Sequence, residues 1–161
     1  LKRKTPQNIV IGGASGALPP VIGWTIATNL LTFEPITFFL IIFFWTPSHF
    51  WALSLYKADD YKKAKIPMLP LTDGVQKTKL NIFIYSIIML PVVILPYVIN
   101  FAGLVYLIPS LLLTFYYIYV CYDLFKFKKN KFDIKQAKKV FGYSILYLFL
   151  IFLLFIFDNL I

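Results

Sequence analysis

Acidic residues, cysteine and histidine are all scarce in this chain. Seven Asp and Glu stand among 161 residues, beside one Cys and one His. The single Cys121 excludes an internal disulfide and has no partner at metal-site spacing, so it reads as a small packed residue. Charged residues make up only 14% of the chain, against about 25% in a typical soluble domain. Internal repeats and a soluble second domain are also missing. What replaces them is apolar: 60% of residues are hydrophobic and the mean hydropathy is +0.76. An ordinary soluble globule is excluded.

The basic residues follow a one-sided pattern. Lys2, Arg3 and Lys4 precede the first apolar stretch. Lys57, Lys62, Lys63, Lys65, Lys77 and Lys79 lie between the second and third. Lys126, Lys128, Lys129, Lys131, Lys135, Lys138 and Lys139 lie between the fourth and fifth. The turns at Thr32 to Pro35 and Asn100 to Gly103 carry none, nor does the tail from Asp158. Basic loops stay in the cytoplasm, so the pattern predicts a multi-pass membrane protein with those loops on the cytoplasmic side. A net charge of +9 in short loops beside apolar spans points to anionic membrane lipids as partners and argues against nucleic acid.

Five spans are predicted, since a crossing helix needs about 20 mostly apolar residues. They run from Asn8 to Leu31, Ile36 to Tyr56, Leu80 to Ile99, Leu104 to Phe125 and Val140 to Phe157. The fold class is therefore all-α, a polytopic membrane helical bundle in one membrane domain over 1–161. The first span holds Gly12, Gly13, Gly16, Pro19, Pro20 and Gly23. Lipid offers no replacement for backbone hydrogen bonds lost at proline, so this span is expected to be buried or to line a cavity. Gly12 and Gly16 form a small-xxx-small pattern that lets another helix approach closely. The last two spans, rich in Leu, Ile, Phe and Tyr, read as a scaffold facing lipid. The chain opens on Leu1 rather than Met, which raises the expectation of a fragment lacking part of its site.

The chemistry concentrates at the end of the second span and in the loop 57–79. The span closes on Trp45-Thr46-Pro47-Ser48-His49-Phe50-Trp51-Ala52-Leu53. An ionisable residue inside a span is a functional candidate. The plainer alternative is a neutral His49 hydrogen-bonded to a neighbouring helix. Beyond it, Asp59 and Asp60 are adjacent carboxylates among Lys57, Lys62, Lys63 and Lys65. Carboxylates suit Mg²⁺, which shares its ligands with water and phosphate, and lysines bind phosphate oxygens. A metal–diphosphate site fits this interleaving; so does a merely solvated charged loop. The apolar, proline-bounded Ile66 to Leu71 segment is expected to fold back over the membrane as a lid.

Four segments together carry a specific resemblance. They are Lys2-Arg3-x-Thr5-Pro6-Gln7-Asn8-Ile9-Val10-Ile11-Gly12-Gly13-Ala14; Pro19-Pro20-x-x-Gly23; the Trp45 to Leu53 segment; and Asp60-Tyr61-x-x-Ala64-x-Ile66-Pro67-Met68-Leu69-Pro70. In this order and spacing the chain resembles the protohaem IX farnesyltransferase (haem O synthase) family of UbiA-type intramembrane prenyltransferases. The match is strong up to about Leu71; beyond it the spans agree in number and character. Ser48 stands where many members carry a second proline.

The resemblance implies the last five helices of a nine-helix fold, with the N-terminal four and their Asp-rich loop absent. The loop 57–79 would be the second cytoplasmic active-site loop. It implies transfer of a farnesyl group from farnesyl diphosphate to a vinyl group of haem B, giving haem O. Mg²⁺ would be the cofactor, and haem B a substrate rather than a prosthetic group. The missing N-terminal half and haem A synthase would be protein partners. On this reading Asp60, supported by Asp59, holds the metal–diphosphate, while Lys57, Lys65, Arg3 and Lys4 hold diphosphate oxygens. Gln7, Asn8 and Tyr61 line the substrate site, and His49 lies with Trp45 and Trp51 on the haem side. This chain alone is expected to be inactive. Two rivals are a related prenyltransferase with a quinone-precursor or tetrapyrrole acceptor, and a non-catalytic transport or assembly subunit with a broken helix at an anion site.

Overall fold

A computed structural model describes Thr5 and residues 7–126 and 134–160. Among the described residues all regular structure is helical, in eight helices: α1 Asn8–Ala17, α2 Pro19–Thr28, α3 Glu34–Tyr56, α4 Ala58–Lys63, α5 Leu69–Thr72, α6 Val75–Val98, α7 Leu104–Lys126 and α8 Ile134–Asp158. Five segments are long and apolar enough to cross a membrane, with α1 and α2 together forming the first.

The break in that first span follows from its prolines. Pro19 and Pro20 cannot donate backbone hydrogen bonds, so they are accommodated best where a helix begins. They occupy the first turn of α2, whose N-cap Leu18 stays in the right-handed helical region. The two helices thus run on as one interrupted span.

Two spans start earlier than the hydropathy predicts. α6 begins at Val75 rather than Leu80, and α8 at Ile134 rather than Val140. At 1.5 Å per residue the 24 residues of α6 reach ~36 Å, beyond the ~30 Å hydrocarbon core, so polar first turns are allowed. The loop 57–79 is accordingly short of true loop. It folds as α4, α5 and the first turn of α6, which opens on Gly74 at φ 89°, a conformation glycine adopts without strain.

α3, α6, α7 and α8 close a four-helix ring in which α3 touches both α6 and α8; α1 and α2 pack on the outside of α3. Two contacts set the polarity of the bundle. Asn8 Nδ2 donates to the Pro67 carbonyl at 3.5 Å, bringing the start of α1 to the 57–73 segment. Lys138 Nζ lies 5.8 Å from the Tyr56 ring centroid, bringing the start of α8 to the end of α3. The described basic segments therefore gather at one end. At the other end Phe38, Phe101, Tyr106 and Phe155 form an aromatic cluster.

The last two spans are more than lipid-facing scaffold. Tyr106, Tyr117 and Tyr147 are fully buried. Each hydroxyl has a partner, as burial requires: Tyr106 donates to the Val93 carbonyl (3.1 Å), Tyr117 pairs with Ser48 (2.7 Å) and Tyr147 with Thr114 (2.9 Å). At the far end the Asp158 carboxylate accepts from the backbone N–H groups of Gly103 (2.6 Å) and Tyr106 (3.0 Å). It caps α7 from the end of α8. A Cβ on Gly103 would meet Asp158 at 3.1 Å, so the approach is close. Asp158→Ala is expected to destabilise the bundle by about 1 kcal/mol, as loss of a helix cap does. A denaturant titration in detergent micelles measures it.

Candidate functional site

Helical azimuth sorts the candidate residues. Trp45 and His49, one turn apart, share a face of α3; Trp51 lies ~200° further round. Trp51 is buried, and its ring meets Tyr85 of α6 edge-on at 5.3 Å. The structure therefore does not bring Trp51 to the Trp45–His49 pair, contrary to the sequence expectation. Its indole N–H has no partner among the described residues.

A cavity of about 730 Å³ lies between α1 and α3. Gly12, Gly16 and Ile9 form one wall, and Ile42, Trp45 and Phe50 the other. Asn8, Tyr61, Ile66 and Met68 bound it at the basic end. The glycines divide the work differently from the small-xxx-small reading. A Cβ on Gly13 would sit 3.1 Å from Thr46, so Gly13 lets α1 approach α3. Gly12 and Gly16 have nothing within 4 Å and leave the cavity wall bare. The first span thus lines a cavity, as its prolines and glycines predict.

His49 does not line this cavity. Its ring is stacked between Trp45 (centroids 4.3 Å) and Phe141 (4.5 Å), and its Nδ1 lies 2.7 Å from Ser144 Oγ. The plainer sequence alternative, a histidine hydrogen-bonded to a neighbouring helix, describes this geometry. Ser144 was not singled out by the sequence; a lone serine in an apolar helix carries no distinguishing signal. Its backbone carbonyl also accepts the Trp45 indole N–H at 2.8 Å.

The charged group sits at the end of the bundle above the cavity. Lys57 ends α3 and precedes α4, and Asp59 and Asp60 occupy the first turn of α4. Lys57 Nζ is 3.3 Å from Asp60 Oδ2, both side chains being largely exposed. Tyr61, next along, turns to the cavity; burial first, then Tyr56 and Asp60, push its phenol above the ordinary value, so it stays a neutral donor. Lys65 is exposed at φ 53°, where the chain reverses toward Ile66. Lys77 is engaged elsewhere: it pairs with Asp73, and this hydrogen bond with that of Thr72 holds the Asp73 carboxyl low. Gln7 is exposed and donates its backbone N–H to Thr5 Oγ1. Asn8 is buried beneath Pro67. Arg3 and Lys4 lie outside the described residues.

No group of three or more His, Cys, Asp or Glu gathers among the described residues. The donor set at α4 is two adjacent carboxylates open to solvent. That suits a hard cation which keeps several waters and takes its other ligands from a phosphate, and does not suit an all-protein metal cage.

The sequence matches the UbiA prenyltransferase family over residues 1–151. The chain belongs to the UbiA prenyltransferase family. This UbiA-family chain is similar to the protoheme IX farnesyltransferase of Pelagibacter ubique, 75% identical over 159 residues, which are 99% of the chain and 52% of that relative. It is 49% identical over 152 residues to the protein of that name from Parvibaculum lavamentivorans (94% of the chain, 48% of the relative). With the one from Neorickettsia sennetsu it shares 47% over 158 residues (98% and 50%). The chain spans about half the length of the curated relatives it matches. No solved structure matches it. The family and the five apolar helices make it a membrane protein.

Proposed function

We propose that this chain, joined to the N-terminal portion its relatives carry, transfers a farnesyl group from farnesyl diphosphate to a vinyl group of haem B, giving haem O. The observation that carries the reading is an apolar cavity bounded by Tyr61, Ile66 and Met68 directly beneath a carboxylate pair flanked by lysines. An allylic diphosphate has that polarity: a hydrocarbon tail and an anionic head. The names of the relatives supply the acceptor.

Asp59 and Asp60 would hold Mg²⁺, which supplies positive charge to the departing diphosphate when bound. Lys57 and Lys65 add charge-assisted contacts to diphosphate oxygens, joined by Arg3 and Lys4. Trp45 and Phe50 offer aromatic faces that shield an allylic cation from water. The vinyl π pair bonds to C1 of the farnesyl group as the C1–O bond breaks. Water then adds to the cation left at the inner vinyl carbon, and a proton is released. Gln7 and Asn8 stand at the rim on the α1 side. The one-sided lysines support a site on the cytoplasmic face of the membrane, the bacterial inner membrane on this reading.

The test is chromatography of haems extracted from a haem-O-deficient strain expressing this chain, with and without the N-terminal half of the Pelagibacter relative. Haem O only with both halves supports the reading. Haem O from this chain alone refutes the need for a second half. None in either case, with both polypeptides in the membrane, refutes the acceptor.

A further inference from the structure

Ser144 of α8 is fully buried and touches both members of the Trp45–His49 pair. Its hydroxyl carries one hydrogen. That hydrogen goes to the Phe141 carbonyl at 2.6 Å. With its hydrogen committed there, the oxygen, 2.7 Å from His49 Nδ1, would serve that nitrogen as an acceptor. A neutral imidazole has a single N–H, and the bond its other nitrogen makes decides the tautomer. Trp45 and Phe141 stack on the two faces of the ring, with interplanar angles of 20° and 25°, and so resist a flip. No hydrogen bond reaches Nε2 among the described residues.

We propose that Ser144 is a positioning residue: it holds His49 as the Nδ1–H tautomer, with the imidazole stacked on Trp45. Through its backbone carbonyl it also fixes Trp45, a wall of the cavity. The converse arrangement, with the hydroxyl turned to donate to Nδ1, leaves the Phe141 carbonyl without the Ser144 hydrogen. The tautomer is a property of this chain; its consequence for haem O formation, through Trp45, rests on the proposed reaction above.

His49 is the only histidine of the chain, so its ring can be observed alone. The experiment is a ¹⁵N-histidine-labelled long-range ¹H–¹⁵N spectrum of this chain in lipid nanodiscs. The expected result is a protonated Nδ1 and a lone-pair-bearing Nε2. Ser144→Ala should release the ring to a mixture of tautomers, and Ser144→Thr, which keeps the hydroxyl, should restore one. Haem O formation with the N-terminal half should fall about tenfold in Ser144→Ala, because a displaced His49 ring no longer holds Trp45 in the cavity wall, and recover in Ser144→Thr. An Nε2–H tautomer in the unaltered chain overturns the proposal. So does a folded Ser144→Ala variant with an unchanged ring spectrum, or one with a changed spectrum and undiminished haem O. Failure of the unaltered halves to make haem O sinks the haem reading, while the spectrum still decides the tautomer.

Discussion

Asp60→Asn is expected to reduce haem O formation by about two to three orders of magnitude, the scale seen when one preorganised charge at a developing anion is removed. The substitution keeps the shape and hydrogen-bonding reach of the side chain and removes the charge that binds a hard cation. Asp59→Asn should cost less, since Asp60 is the carboxylate facing Lys57. Stability should barely change. The Asp60–Lys57 pair is exposed, and exposed pairs contribute about 0–1 kcal/mol. Equal amounts of variant and parent in the membrane, with haem O lost only from the variant, is the expected result in the two-half assay. Undiminished haem O would remove Asp60 from the diphosphate site.

Tyr117→Ala should destabilise the bundle by about 3–5 kcal/mol, the range for deleting a large buried ring. Tyr117 is wholly buried, stacks on Tyr147 at 4.9 Å and binds Ser48 across the bundle. Tyr117→Phe should cost far less, about 1 kcal/mol, because the Ser48 hydroxyl keeps its bond to the Trp45 carbonyl. The difference between the two variants separates ring packing from hydrogen bonding. Both are read from unfolding midpoints in detergent. A Tyr117→Ala cost below about 1 kcal/mol would mean that the site collapses freely and that Tyr117 does not anchor the ring of helices.

Much of this molecule is legible in its residues because the governing physics is local. A span reads as a run of apolar residues, and the common end of the basic segments as the placement of lysines. The role of Pro19 and Pro20 follows from a missing N–H. The 57–79 segment stands out through its adjacent carboxylates and lysines, and the resemblance of the chain to a prenyltransferase agrees with the family to which it belongs. The early starts of α6 and α8 were less visible, since a hydropathy sum stops at the first lysines while a helix continues through them into the interface.

The sequence by itself determined the class, the five spans, the gathering of basic residues at one end and the segments from which a site is built. Only the tertiary structure decided that Trp51 turns to α6 while Trp45 turns to the cavity, that Gly13 rather than Gly12 or Gly16 meets α3, and that His49 rests against Ser144, 95 positions along the chain. Those outcomes depend on how each helix is rotated about its axis. In an almost uniformly apolar helix the pattern of residues constrains that rotation weakly; it is set by the fit of side chains against neighbouring helices and by the need to pair every buried polar atom.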